Sequence, residues 1–286
     1  MASRRGRYDQ DADVDMTDGF HDDAGDDAGG GGGIESVDHM AKGLVRYALS
    51  CEHSRKPIKR QDINEKVLGS HGRLFKQVFA QANSQLMHVF GMHLVELPRA
   101  ERVTLRQKRA AAASAADSQT KSTSVWVLQS MLPDQYRMPA IMGPSRPLER
   151  GVINQEDAYV GLYTLTIALI TISGGMIPEG KLDRALRRMN AEQTTPVGTK
   201  DKALAAMVKD GYIVRVKDTS GGGEETVDYI VGPRGKVEVG REGVARFIRA
   251  MHGAGEGEDQ AELERRIQRT LNVAEAHSNA APAAEA

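Results

Sequence analysis

A mainly α-helical chain with small β wings, arranged as two modules of one plan, is what this sequence predicts, and three observations predict it. Apolar residues recur at steps of three and four through a series of segments that end on glycine, which is helix periodicity with C-terminal stops. Short stretches rich in Val, Ile and aromatic residues come in pairs, as antiparallel strands do. The order of helices followed by two strands also occurs twice, on either side of a Pro-punctuated stretch. That order is a winged helix, here in tandem.

The elements follow in sequence. Residues 1–33 alternate Asp with Gly and Ala and close on five glycines, too little apolar area to offset the entropy of ordering, so a disordered acidic tail is expected. The first module spans 34–130. Met40, Leu44, Val45, Ala48 and Leu49 share one helical face behind Asp38 as N-cap, with the helix running to about Cys51. Pro57 breaks it, Ile58 and Lys59 are extended, and 61–68 is a short helix closed by Gly69. Phe75, Val78, Phe79, Ala82, Leu86, Val89 and Phe90 form the stripe of a third helix that Gly91 ends. Residues 92–97 and 125–128 are the wing strands. Between them, 98–124 is a long wing insertion that opens with Arg99, Arg102, Arg106, Lys108 and Arg109 and is expected to be mobile. Its composition suits a solubilising loop best, then a phosphate-binding arm, then a nuclear-import signal.

A connector over 131–156 carries Pro133, Pro139, Pro144 and Pro147 and no periodicity. The second module spans 157–252. Residues 157–173 are apolar almost all round, hence a central helix. Ile177 marks a short strand, and 179–190 a helix with Leu182, Leu186 and Met189 inward. Thr199 caps a third helix whose Leu204, Met207 and Val208 face inward and which Gly211 stops. Residues 212–216 and 227–231 pair as the second wing, and 241–251 closes the module. After the glycines at 253, 255 and 257, residues 259–278 place Leu263, Ile267, Leu271 and Ala274 in one narrow seam. So narrow a seam either packs back or docks a partner, and a loosely held helix is the expectation.

Charge bears on partners. The formal net charge is −1, yet residues 1–33 carry −6, residues 256–286 carry −4, and residues 34–255 carry +9. A basic body between acidic ends suits a polyanion. On a 100° wheel Lys181, Arg184 and Arg188 fall together, with Arg187 at their flank and no acid among them. Lys200, Lys202 and Lys209 follow on the third helix, and Arg215, Lys217, Arg234 and Lys236 on or after the wing. These eleven residues are the candidate duplex-DNA face, and the surplus is expected to concentrate on this module. The competing reading is an ordinary solvated face, since Asp183, Asp201 and Asp210 are interspersed. No Arg or Asn constellation suggests base readout, so binding would follow backbone and shape. The third helix of the first module shows Lys76, Gln77, Gln81, Ser84 and Gln85 and suits a protein partner better.

Several classes are disfavoured. The single Cys51 cannot form an internal disulfide or a thiolate zinc site, and without a secretory signal a reducing, intracellular setting is expected. Residues 160–177 are uncharged but carry Thr164, Thr166, Thr171, Ser173, Gly174 and Gly175 without basic flanks, as a buried helix does and a membrane span does not. The histidines show no ligand spacing, the 29–33 glycine run follows no strand, and Gly198-Thr199-Lys200 lacks the rest of a phosphate loop. No catalytic centre, cofactor, metal or small-molecule substrate is expected.

The strings LVRYAL (44–49), IKRQDI (58–63) and VFGMHLVEL (89–97), with Leu74 and Phe75, resemble the first half of a MAGE homology domain. GLYTLTIALITISGGMIPEGKL (161–182), LAAMVKDGYI (204–213) and YIVGPRG (229–235) resemble its second half, so the likeness covers about 38–252 in order. Within that family the chain is similar to the non-SMC-element branch that serves the Smc five/six chromosome complex. The resemblance implies a tandem winged-helix, non-catalytic subunit in the nucleus, on chromosomes, that joins a RING-type ubiquitin ligase subunit and a kleisin subunit and helps the complex hold duplex DNA. It implies a RING-facing surface at Leu44, Tyr47, Ala48 and Leu49, where the family's paired Leu is replaced by Ala48-Leu49. The alternative it leaves open is a MAGE adaptor that acts only through a RING ligase. A sequence-specific regulator would need base contacts from 199–210.

Overall fold

The structure, a computed structural model, describes residues 32–99, 122–136, 155–218, 226–253 and 258–279. All but the last two residues of the expected acidic tail, most of the wing insertion and connector, the second wing's tip and most of the glycine joint lie outside these residues.

In the first module α1 (Gly32–His53) begins six residues before its expected cap. Asp38 therefore lies inside the helix, a correction with a physical reason: its carboxylate works across the fold. It accepts from Gln81 and Gln85 at 2.9 and 3.1 Å and pairs with Lys42 at 2.7 Å. Next come β1 (Ile58–Lys59) and α2 (Arg60–Ile63), which continues through a π turn (Asn64–Leu68) and a 3₁₀ turn (Gly69–Leu74). α3 (Phe75–Phe90) buries Phe75, Val78, Ala82 and Leu86 and ends at Gly91 in the left-handed conformation, φ 61°. Val89 and Phe90 do not join that stripe; they are 71% and 45% exposed, because the surface that α3 packs on ends at Leu86, one turn before the helix does. β2 (Met92–Glu96) and β3 (Val125–Ser130) pair antiparallel with Leu94 opposite Leu128. β1 adds to the other edge of β3, Ile58 opposite Trp126. Phe75, Phe79 and Trp126 cluster over this sheet with centroids 5.0–6.0 Å apart.

The second module repeats the plan. α4 (Gln155–Ile172) is central, and its buried Thr166 and neighbouring Thr171 donate to the carbonyls of Leu162 and Ile167, which satisfies both hydroxyls within the helix. β4 (Met176–Pro178) leads into α5 (Glu179–Arg188). A small hairpin, β5 (Thr194–Thr195) and β6 (Gly198–Thr199), comes before α6 (Lys200–Asp210), and periodicity gave no sign of it. Thr199 caps α6, accepting from the Lys202 amide, and Gly211 ends it. Leu204 and Met207 are buried as expected, whereas Val208 is 38% exposed and points past the core. β7 (Ile213–Asp218) and β8 (Thr226–Val231) pair, and β4 joins β8. The order β4-β8-β7 matches β1-β3-β2, so the duplication read from sequence is written in sheet topology. α7 (Pro233–Glu238), α8 (Gly240–His252) and α9 (Glu258–Asn279) complete the chain. The expectation of a loosely held last helix is corrected: Ile267 and Leu271 are 2% and 3% exposed in the second core, although Ala274's side chain is outside the described set.

A buried arginine is the centre of the junction between the modules. The turn at 232–235 packs on the end of α6 so closely that a Cβ on Gly232 would lie 2.3 Å from the Gly211 carbonyl oxygen, and one on Gly235 2.4 Å from that of Tyr212. This delivers Arg234, 1% exposed, to the first module, where it donates to Glu52 (2.7 Å) and to the Arg55 carbonyl (2.8 Å) while also holding Glu238. Arg55 pairs with Glu52 at 2.6 Å, and Gln129 donates to the Val237 carbonyl beside the same junction. Burial pushes the Glu52 carboxyl above its usual range against the pull of Arg234 and Arg55. Burial, then Glu238, raises the phenol of Tyr212, whose ring stacks on Tyr163 at 3.9 Å.

Candidate nucleic-acid interface

α5 buries Leu182 and Leu186 on one side and exposes Lys181, Arg184 and Arg188 on the other. Positions i, i+3 and i+7 put three cations in a row about 10 Å long, at 1.5 Å per residue. Lys202 and Lys209 are exposed on α6. Among the described residues none of these five has an ion-pair partner.

The remaining candidates divide. Arg187 pairs with Glu192 at 2.6 Å on the surface. Lys200 is drawn to Asp183 at 2.7 Å, which ties α6 to α5, and the hydrogen bond to Asp183 holds its ammonium above the usual range. Arg215 leans on Glu179 at 3.5 Å, and Glu179 also accepts from Tyr229, whose phenol burial and Glu179 push up to about 12. Lys217 is exposed and Lys236 half-buried, and both have interactions within the fold. Arg234 is removed from the set: a guanidinium buried against two carboxylates and a carbonyl cannot meet a phosphate without opening the module junction.

The distribution of charge also corrects an expectation. Residues 34–130 carry +7 and residues 157–252 only +2, so the surplus does not concentrate on the second module. Arrangement on α5, rather than total charge, singles that face out.

The RING-facing set on α1 is likewise divided. Leu44 and Ala48 are fully buried because they form the α1 contribution to the first core, so neither can touch a partner directly. Tyr47 and Leu49 are half-buried, and Tyr47 donates to Asp62 at 3.3 Å under the Lys66 ammonium. Sequence reasoning missed Glu52, Arg55, Tyr212 and Glu238 around Arg234; the signal available was an arginine flanked by two glycines in GPRG. Among the described residues no group of His, Cys, Asp and Glu could hold a metal, and no helix is long and apolar enough to cross a membrane.

Two winged helices in tandem, joined through a buried arginine and carrying an unpaired basic helix face, define a tandem winged-helix protein. The MAGE homology domain model matches residues 44–242, and the chain belongs to that family. It is 31% identical over 216 residues to the Non-structural maintenance of chromosome element 3 of Schizosaccharomyces pombe, covering 73% of this chain and 62% of that one. To the human Non-structural maintenance of chromosomes element 3 homolog it is 25% identical over 217 residues, 73% of this chain and 59% of that one. The chain thus spans about three fifths of these relatives' length. A chain of a solved Nse1-Nse3-Nse4 complex superposes with a TM-score of 0.60 at 18% identity, over 84% of this chain and 98% of that one, a likeness of fold.

Proposed function

We propose that this chain is the MAGE-type, non-catalytic subunit of a chromosome-maintenance complex of the Smc five/six kind, located in the nucleus on chromosomes. In this reading it joins a RING-type ubiquitin ligase subunit to a kleisin and holds duplex DNA through Lys181, Arg184 and Arg188, with the exposed Lys202 and Lys209 of α6 as further candidates. Support for the assembly comes from similarity to the two chromosome-element relatives and from the name of the superposed complex. Support for DNA comes from one observation, the unpaired cationic row on the face of α5 opposite Leu182 and Leu186. Phosphates that meet such a row release counterions, and binding that follows the backbone needs no particular base sequence.

Mobility shift of a short duplex tests the DNA reading. Reversing Lys181, Arg184 and Arg188 to Glu removes three phosphate contacts and lowers the salt slope by about 0.9 for each, roughly 2.7 in all. Unchanged affinity and slope would end the site assignment. Equal binding to unrelated duplexes is expected and separates this reading from a sequence-specific regulator. Co-purification addresses the assembly, since capture of a RING subunit without a kleisin would favour the adaptor reading.

A further inference from the structure

Soon after Arg188, the last cation of the α5 row, the chain enters the small hairpin β5–β6, which leads directly into α6. Only two residue pairs close it, Thr194 opposite Thr199 and Thr195 opposite Gly198, with Pro196 and Val197 as the turn. Pro196 and Thr194 are exposed and Thr195 is half-buried. The hydrogen bonds of the Thr195 hydroxyl stay within the turn: it donates to the Gly198 carbonyl at 2.9 Å and accepts from the Val197 amide at 3.3 Å. A hairpin this short is marginal by itself, so it opens locally at little cost. Thr195-Pro196 is also the one place in the sequence where Ser or Thr precedes Pro. A hydroxyl on extended backbone, followed by a residue without an amide hydrogen, suits an enzyme that reads that missing donor directly after the acceptor.

A phosphate at this position has something to act on. Thr195 shares a hollow of about 10 Å³ with Leu186 of α5 and with Lys200 and Ala203 of α6, the space of one water at most. A phosphoryl group on Thr195 Oγ1 therefore faces solvent. Lys200, on the same hollow, pairs with Asp183 at 2.7 Å. A group carrying about −1.5 to −2 charges competes with Asp183 for that ammonium. The carboxylate so released lies on α5, next in sequence to Arg184 and four residues before Arg187, where it offsets the charge of the cationic row.

We propose that Thr195 is a phosphorylation site for a proline-directed protein kinase, with ATP as the phosphoryl donor, and that the phosphate weakens duplex binding by α5. In the transfer Thr195 Oγ1 bonds to the γ-phosphorus as the bond to the β–γ bridging oxygen breaks. ADP leaves, and the hydroxyl proton passes to the carboxylate base of the kinase. The effect on binding rests on the DNA reading proposed above, whereas the site itself does not.

The test treats the full chain with a purified proline-directed kinase and ATP, and mass spectrometry of the intact chain and its peptides locates the phosphate. Phosphate is expected on Thr195, absent there from Thr195→Val, which keeps the side chain's shape, and much reduced in Pro196→Ala. The phosphorylated chain is then compared with the untreated one by mobility shift of a short duplex. Loss of one phosphate contact lowers the salt slope by about 0.9, which at 0.1 M salt is roughly an eightfold loss of affinity. Thr195→Val taken through the same treatment is expected to keep the affinity of the untreated chain. A Thr195 left unmodified in the full chain overturns the site. A phosphorylated chain that binds as tightly as the untreated one overturns the regulation, and the reversal of Lys181, Arg184 and Arg188 to Glu shows which idea has failed. If that reversal weakens binding, the DNA reading stands and only the switch is lost; if it too is silent, the DNA reading has failed and the switch with it.

Discussion

Arg234→Met is the sharpest test of how the two winged helices are held together. The wild-type guanidinium is 1% exposed and satisfies Glu52, Glu238 and the Arg55 carbonyl at once, 182 residues separating it from Glu52. Methionine fills much of the volume but leaves two carboxylates, on side chains 20% and 14% exposed, facing each other across the junction. Breaking a buried pair from one side costs about 3–5 kcal/mol. Arg55, 2.6 Å from Glu52 and 3.9 Å from Glu238, stays to screen them, which places the expected loss near the lower end, about 3 kcal/mol. Urea denaturation followed by circular dichroism measures it. The decisive companion is Arg234→Met with Glu52→Gln and Glu238→Gln: if stranded charge is the cause, removing it recovers most of the loss, to within about 1 kcal/mol of wild type. A triple variant as unstable as the single, or a single variant within 0.5 kcal/mol of wild type, the range of ordinary surface changes, would refute the reasoning.

Three further outcomes follow from named contacts. Gly235→Ala drives a Cβ to 2.4 Å from the Tyr212 carbonyl oxygen and 2.9 Å from Ile167, and is expected to cost about 3 kcal/mol or more in a denaturant titration. Thr199→Ala removes the α6 cap and costs about 1 kcal/mol in the same titration. The hydrogen bond from Arg249 holds the Glu264 carboxyl down to about 2, against roughly 4.3 when unfolded. Because the folded value is the lower one, the contact contributes fully above about pH 5 and is lost as pH falls from about 4 to 2; α9 amide exchange, corrected for its intrinsic pH dependence, is expected to accelerate through that window and not above it.

Most of the fold was legible because its helices carry their own instructions. α3 and α6 end at Gly91 and Gly211, both in the left-handed conformation, and Thr199 announces α6, all local signals. Asp38 misled for an instructive reason: as a side chain it suits a cap, but its partners Gln81 and Gln85 lie more than 40 residues away, where no local rule looks. The cationic row on α5 could be found from spacing alone. The loss of Arg234 from that set could not, since whether a cation meets solvent or a buried carboxylate depends on a module junction that periodicity does not describe. Leu44 and Ala48 show the same limit from the other side, because a family correspondence marks a position and not the direction its side chain takes.

The junction arginine also sets an order of events during synthesis. A chain emerging from its N-terminus completes β3 at Ser130 about a hundred residues before Arg234 appears, so Glu52 and Arg55 wait in water, solvated and mobile, until the second module is made. Only when α7 closes on the first module is that water expelled. Nascent first modules therefore present an open, charged seam to whatever else is nearby, and a ribosome paused after β3 has cleared its exit tunnel and before residue 234 is expected to hold a first domain that is folded but not yet committed to its neighbour.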